Sequence, residues 1–454
     1  MKYSPSTLAC LAALSLQPLT VLQPLTVLAT SSASEPSIAS DYAISVGTDR
    51  EDAIYHRDDK VAFQVLLLGK ESIANKTFSW KLTKDGCLPP IKQGTATLNQ
   101  YGKAILPASL NEPGFLTCDV TFNDGTQDLK VTAAAAIDPM DIQPSMPAPR
   151  DFDEFWEAKK KALAAVPPVV HMKQVEALAD RPGVDIFDLQ VDCLGKPVSG
   201  YYARPSKTEP KSHPALLMPE GAGVVPTDKA APARWAQKGY LALDINAHGI
   251  PVGQPAKFYS DLANGELKNY RKDGASSRDT YYFLGMYLRM VRAIDFLTSQ
   301  PEWNGILVLQ GVSQGGGQAL AAAGLDSRVS LVVVSSAALC DHTGMVAARV
   351  AGWPKVVPIG PDGKPEPATL EASRYFDCVN FASRIKAPVI FCIGFVDMTT
   401  PPTGQYAAYN QVKTRKEVYP KPQNGHGHDD PDFWGWFNEM TVSKTAELKN
   451  IAGK

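Results

Sequence analysis

The chain has 454 residues, with 45 basic against 47 acidic side chains and a formal net charge of −2 at pH 7. That balance leaves no electrostatic surplus for gripping a phosphate backbone, so nucleic-acid binding is not expected. With 44% hydrophobic residues, 34 Gly, 36 Pro and 7 Cys, the composition excludes disordered, collagen-like and disulfide-scaffold classes and predicts two or three globular domains.

Lys2 is the only charge before Glu35, Leu8 to Leu28 is mostly apolar, and Ser31-Ser32-Ala33 offers the small residues a signal peptidase reads. Residues 1–33 therefore read as a cleaved signal peptide, which predicts a secreted or periplasmic protein. Gln17, Pro18, Gln23 and Pro24 interrupt the apolar run, so the roughly 20 continuous apolar residues of a membrane anchor are missing. The tandem LQPLTV at Leu16 and Leu22 is a local duplication.

Residues 34–138 read as a small all-β sandwich of the immunoglobulin-like kind. Val61–Leu67, Thr77–Leu82 and Phe115–Val120 are apolar or alternating over strand lengths. Asp85-Gly86, Asn111-Glu112-Pro113-Gly114 and Asn123-Asp124-Gly125 mark the turns between them. Cys87 and Cys118 fall in this domain, as a disulfide or as two free thiols. No catalytic cluster of Ser, His and Asp appears in it. Pro139, Pro144 and Pro147, with Pro149 just beyond, make 139–147 a stiff linker between two cores, and the sandwich is expected to be dispensable for chemistry.

From residue 148 to 454 the rhythm is strand, loop, helix. Ala215–Met218, Leu241–Ile245, Ile306–Leu309, Val329–Val334 and Pro388–Ile393 are short apolar runs. A helical stripe carries Leu284, Leu288, Val291, Ile294 and Leu297. Buried strands alternating with helices predict an α/β domain with a mostly parallel sheet covered on both faces.

One strand leads directly to Gly311-Val312-Ser313-Gln314-Gly315 and then to the helical Gln318–Ala323. A nucleophile on a sharp strand-to-helix turn needs glycines two residues to either side, because larger side chains would collide there. The helix that follows aims its first N–H groups at a developing oxyanion. Such a serine needs a base, and the base an orienting carboxylate, in the chain order Ser, Asp, His. Asp397 follows the buried run ending at Gly394, and is either that carboxylate or a turn aspartate capping the next segment. His426 and His428 are the only histidines after it. His426 reads as the base, on the small neighbours Gly425 and Gly427. The rival reading joins His426 and His428 to Asp429 and Asp430 as a metal site, for which no third well-placed ligand is evident.

Residues 147–440 resemble the acetyl xylan esterase / cephalosporin C deacetylase family, carbohydrate esterase family seven. The resemblance rests on Pro149-Arg150-Asp151-Phe152-Asp153-Glu154-Phe155-Trp156, on Arg289 to Leu297, on Gly311 to Gly316 with Gln314 after the serine, and on Asp397 followed by Pro401-Pro402. It implies an α/β-hydrolase that removes acetyl groups from acetylated sugar or polysaccharide with Ser313, Asp397 and His426. The backbone amide of Gln314 would form the oxyanion hole with that of Gly221, since the family's tyrosine there is replaced near Glu220-Gly221-Ala222-Gly223 and the donor is a backbone N–H; no metal or organic cofactor is needed, and a homo-oligomer is possible. The family's Arg-Gly-Gln motif is replaced by Asn246-Ala247-His248-Gly249, so His248 is either a structural replacement or a pocket contact. Trp353 is either a wall of a short acyl pocket or core. Other classes compatible with these residues are a serine peptidase of the prolyl-oligopeptidase type and a catalytically silent carbohydrate-binding relative.

Overall fold

The computed structural model describes residues 40–70, 72–87, 89–426 and 432–452. The predicted signal peptide and His428, Asp429 and Asp430 lie outside the described residues.

The amino-terminal strands are β1 (Tyr42–Thr48), β2 (Ile54–Tyr55), β3 (Val61–Gly69), β4 (Thr77–Lys84), β5 (Lys92–Thr97), β6 (Lys103–Ala108), β7 (Gly114–Asn123) and β8 (Asp128–Ile137). They form a three-stranded sheet, β1-β3-β6, and a five-stranded sheet, β2-β8-β7-β4-β5. Strict alternation in β3 sends Val61, Phe63, Val65 and Leu67 inward, where they meet Phe78, Leu82, Cys118, Val120 and Ala133 from the other sheet. Cys87 and Cys118 are free thiols, and burial pushes the Cys118 thiol up to about 12.

The five-stranded sheet is apolar on its other face too. Phe115, Ala134 and Ala136 belong to the large core of the carboxy-terminal part, and the Phe115 ring lies 5.2 Å from Phe395 and 5.7 Å from Tyr406. Asp85, in the β4–β5 turn, accepts hydrogen bonds from Phe115 N (2.8 Å) and Thr403 Oγ1 (2.6 Å). The proline-rich segment is docked as well. Asn410 Nδ2 donates to Pro139 O and Ile142 O, both at 2.9 Å, and Arg349 Nη2 donates to Gln143 O at 2.6 Å. This corrects the expectation of a spacer between two separate cores. Prolines stiffen the joint, but an apolar second sheet face cannot stay in water, and it is buried against the hydrolase.

The remaining elements are α1 (Phe152–Ala164), β9 (Val170–Val175), β10 (Val184–Val191), β11 (Val198–Pro205), β12 (His213–Pro219), α2 (Ala230–Gln237), β13 (Leu241–Ile245), α3 (Ala256–Asn264) and α4 (Phe283–Thr298). They continue with β14 (Trp303–Val312), α5 (Gln314–Leu325), β15 (Leu331–Ser335), α6 (Pro367–Ser373), α7 (Cys378–Ala382), β16 (Val389–Gly394), α8 (Pro402–Gln411), β17 (Lys416–Lys421) and α9 (Phe433–Ala452). Nine strands make one sheet in the order β17-β16-β15-β14-β12-β13-β11-β10-β9. β12 to β17 run parallel, while β9, β10 and β11 join antiparallel at one end. Alternate residues sort the two faces. Leu217, Leu243, Leu309, Val334 and Phe391 pack with α4 and α5, whereas Leu216, Ala242, Val308, Val333 and Ile390 pack with Trp235 of α2 and Phe437 of α9. The strands are apolar throughout because both faces are covered.

Candidate active site

Ser313 sits between β14 and α5 at φ 56°, ψ −125°, a backbone conformation that ordinary residues rarely adopt. The turn is pinned from below: Ser313 N–H donates to Ser335 O at 3.0 Å, and Ser313 O accepts from Ala338 N at 2.9 Å. A Cβ on Gly311 would lie 2.3 Å from Gly315 O, and one on Gly315 would lie 2.3 Å from Pro219 O. Both glycines are required by close backbone approach.

Ser313 Oγ is 3.0 Å from His426 Nε2, and His426 Nδ1 is 2.9 Å from Asp397 Oδ2. A ring nitrogen facing a carboxylate carries the proton, so Nδ1 donates to Asp397 and the Nε2 lone pair faces the serine hydroxyl. Asp397 is fully buried and divides its oxygens. Oδ1 accepts from Thr399 N (2.9 Å) and Thr400 N (2.8 Å), while Oδ2 accepts from Thr400 Oγ1 (2.6 Å) and faces the imidazole. The two readings of this aspartate, turn cap and orienting carboxylate, are thus both met by one side chain. Thr400 is a partner the sequence reading missed; its position three residues after an aspartate is the signal that points to it. Among the described residues, no three His, Cys, Asp or Glu side chains gather as metal ligands.

The amide of Gln314 lies in the first turn of α5, where N–H groups have no intrahelical acceptor. Beside it runs the 220–223 loop at the end of β12. Gln314 Nε2 donates to Gly221 O (3.2 Å) and Gln318 Nε2 to Glu220 O (3.1 Å). The Tyr270 hydroxyl donates to Gln314 Oε1 (2.9 Å) and accepts from Gly223 N (3.2 Å). His248 is buried, with Nε2 2.8 Å from Gly223 O and Nδ1 2.9 Å from Tyr282 Oη. A carbonyl only accepts, so Nε2 carries the proton and Nδ1 accepts from the Tyr282 hydroxyl. Burial holds the ring neutral by lowering its pKa to about 4. Arg289 Nη2 reaches the same segment through Ala247 O at 2.6 Å. His248 is therefore the structural alternative of the two: it bolts the loop that carries Gly221.

A cavity of about 730 Å³ opens beside Ser313 and Gly221, lined by Trp235, Trp434 and Phe437 and by Glu220, Asp244 and Arg234. Burial raises both carboxyls, Glu220 to about 7 and Asp244 well above its ordinary value, the latter also through its acidic neighbour Glu220. Trp353 is half-buried, stacks edge-on to Phe283 and lies under the Arg271 guanidinium, outside this cavity's lining.

The family model described as acetyl xylan esterase (AXE1) matches residues 140–433. The chain belongs to the acetyl xylan esterase family. It is an acetyl esterase, a carboxylic ester hydrolase on an α/β-hydrolase fold. It is 30% identical over 396 residues to acetyl esterase Axe7A of Xylanibacter ruminicola, covering 85% of this chain and 87% of that protein. That share exceeds what the residues after 140 supply, so the likeness reaches into the amino-terminal sheets. Among solved structures, the acetyl xylan esterase of Paenibacillus sp. R4 is 29% identical with a TM-score of 0.59, covering 68% of this chain and 98% of that one. Acetyl xylan esterase 1 of Thermoanaerobacterium sp. JW/SL YS485 is 25% identical with a TM-score of 0.57, covering 68% and 97%.

Proposed function

We propose that this family member is an exported serine esterase that removes acetyl groups from acetylated xylan or a related polysaccharide. The observation that carries the reading is the Ser313–His426–Asp397 chain of contacts at 3.0 and 2.9 Å. Ser313 Oγ attacks the acetyl carbonyl carbon as His426 Nε2 takes its proton. The carbonyl oxygen becomes an oxyanion facing the Gln314 and Gly221 amides. Collapse of this intermediate breaks the bond to the sugar oxygen, which takes the proton back from His426. Water, deprotonated by the same ring, then releases acetate from Ser313. Asp397 keeps the imidazole in the tautomer that these steps need. Export rests on the leader composition of residues 1–33, with the sandwich taken as residues 34–138, the joint as 139–147 and the esterase domain as 148–454.

The test is acetate release from acetylated xylan and p-nitrophenyl acetate by the full chain and by Ser313→Ala. The variant is expected to lose at least ~10³ in kcat while keeping its melting temperature. Retention of more than about 10% of kcat would overturn the assignment. Acyl preference should fall in graded steps with chain length, at ~1–3 kcal/mol per methylene, and a faster rate on octanoyl than on acetyl ester would refute it. Mass spectrometry of exported protein should find a start near residue 34; a start at Met1 would refute export by cleavage.

A further inference from the structure

The outer face of the three-stranded sheet is not covered by the sandwich core. In β3, Gln64 points away from the buried Phe63 and Val65. It pairs across β1 with Gly47 and across β6 with Ile105, which is 65% exposed. The neighbouring row is Ser45, Leu66 and Lys103. The first row ends against the loop that carries His426: a Cβ on Gly47 would be 3.8 Å from Gln423 Nε2. These residues line a cleft of about 860 Å³, within the size range of small-ligand sites.

We propose that this cleft binds the polysaccharide chain whose acetyl group is presented to Ser313, so that the sandwich supplies a substrate subsite. The proposal rests on the esterase reading above. Two observations select the occupant. The first is proximity: Gln423, which lines the cleft, stands three residues before His426, a span of at most ~10 Å of chain. A polymer held on the sheet thus reaches the region of the base within a few sugar rings. The second is chemistry. The lining alternates uncharged hydrogen-bonding side chains (Ser45, Gln64, Gln423) with the aliphatic Leu66 and Ile105, and contains one lysine and no carboxylate. Among the described residues, the side chains of Ser45, Gln64, Lys103 and Gln423 make no hydrogen bond or ion pair. Pyranose rings offer the matching set, apolar C–H faces and equatorial hydroxyls. A protein interface of this size would be expected to centre on buried aromatic or Arg anchors, and the cleft lining holds neither.

The experiment compares kcat/KM on acetylated xylo-oligosaccharides with kcat/KM on p-nitrophenyl acetate for the full chain, Gln64→Ala and Ile105→Asp. The ratio of the two is expected to fall at least about fivefold in each variant, mostly through KM of the oligosaccharide, a loss on the scale of one or two net contacts. A ratio within about twofold of the unaltered chain would overturn the subsite. So would a change of oligomeric state in Ile105→Asp, seen by light scattering, with the ratio preserved, since the face would then meet a second copy. If the unaltered chain turns over neither ester, the esterase reading fails and the cleft is judged by calorimetry with xylohexaose. Binding weakened at least about fivefold by Ile105→Asp upholds it, and equal binding or none by the unaltered chain overturns it.

Discussion

The nucleophile turn and the 220–223 loop meet beside Ser313, yet they are held by different means. The turn is fixed by backbone: two buried strands, hydrogen bonds to Ser335 O and from Ala338 N, and two glycines whose Cβ atoms would strike main-chain oxygen. The loop is fixed by side chains from distant parts of the chain, namely Gln314, Gln318, Tyr270 and His248. Backbone packing of the first kind is written locally and tolerates almost no change. Side-chain bolting of the second kind is dispersed and can be loosened one contact at a time.

The comparison can be broken most severely at the chemistry itself. On the proposed mechanism His426→Ala removes the base that lies 3.0 Å from Ser313 Oγ and should cost at least ~10³ in kcat; a loss below tenfold in stopped-flow or steady-state assays would move the base elsewhere. The loop should respond less. Gln314→Ala keeps the backbone donor but releases Gly221 and Tyr270, so kcat should fall by about 10- to 100-fold with KM nearly unchanged, toward the loss of one oxyanion donor.

His248→Ala should cost less again, roughly tenfold in kcat, with His248→Gln restoring part through its N–H to Gly223 O. Because the folded ring stays neutral down to about pH 4, the shape of the pH–rate profile between pH 5 and 9 should not change. Stability should respond. The ring's folded pKa lies below its ordinary value of 6.5, so the unfolded chain binds the extra proton as pH falls. The folded protein loses stability from pH ~6.5 toward ~4, and that loss should be shallower in His248→Ala.

The smallest effect is expected at Asp244. Its carboxyl and that of Glu220 are raised by burial, so the folded state holds protons that the unfolded chain gives up. Stability therefore falls as pH rises from about 4 through the raised values. Asp244→Asn should flatten that fall and raise Tm at pH 8 by roughly 1–3 °C in calorimetry. A lower Tm at pH 8 would show that the carboxylate is needed there.

The same contrast explains what was legible in the sequence. Gly311 to Gly315, Asp397 and His426 stand in local contexts, a strand end or a small-residue loop, and their placement followed from those contexts. The central strands were visible because burial on both faces leaves unbroken apolar runs. Edge strands such as β5, exposed along most of its length, left no such trace. Tyr270 and Tyr282 carry no pattern of their own; only the fold brings them to His248. The closeness of sandwich and hydrolase was also hidden, although Ala133 to Ala136 in β8 is the trace of a strand buried on both faces, and the prolines that follow it suggested separation instead.

That shared face has a consequence for the order of synthesis. The sandwich is translated first and has a complete inner core of its own, so it can fold before the hydrolase exists. Its second face then waits with Phe115, Ala134 and Ala136 exposed until Phe395 and Tyr406, some 280 residues later in the chain, arrive to cover them. The nascent protein therefore carries a ready-made apolar platform. On it the start of α8, whose Thr403 donates to Asp85, is a late arrival.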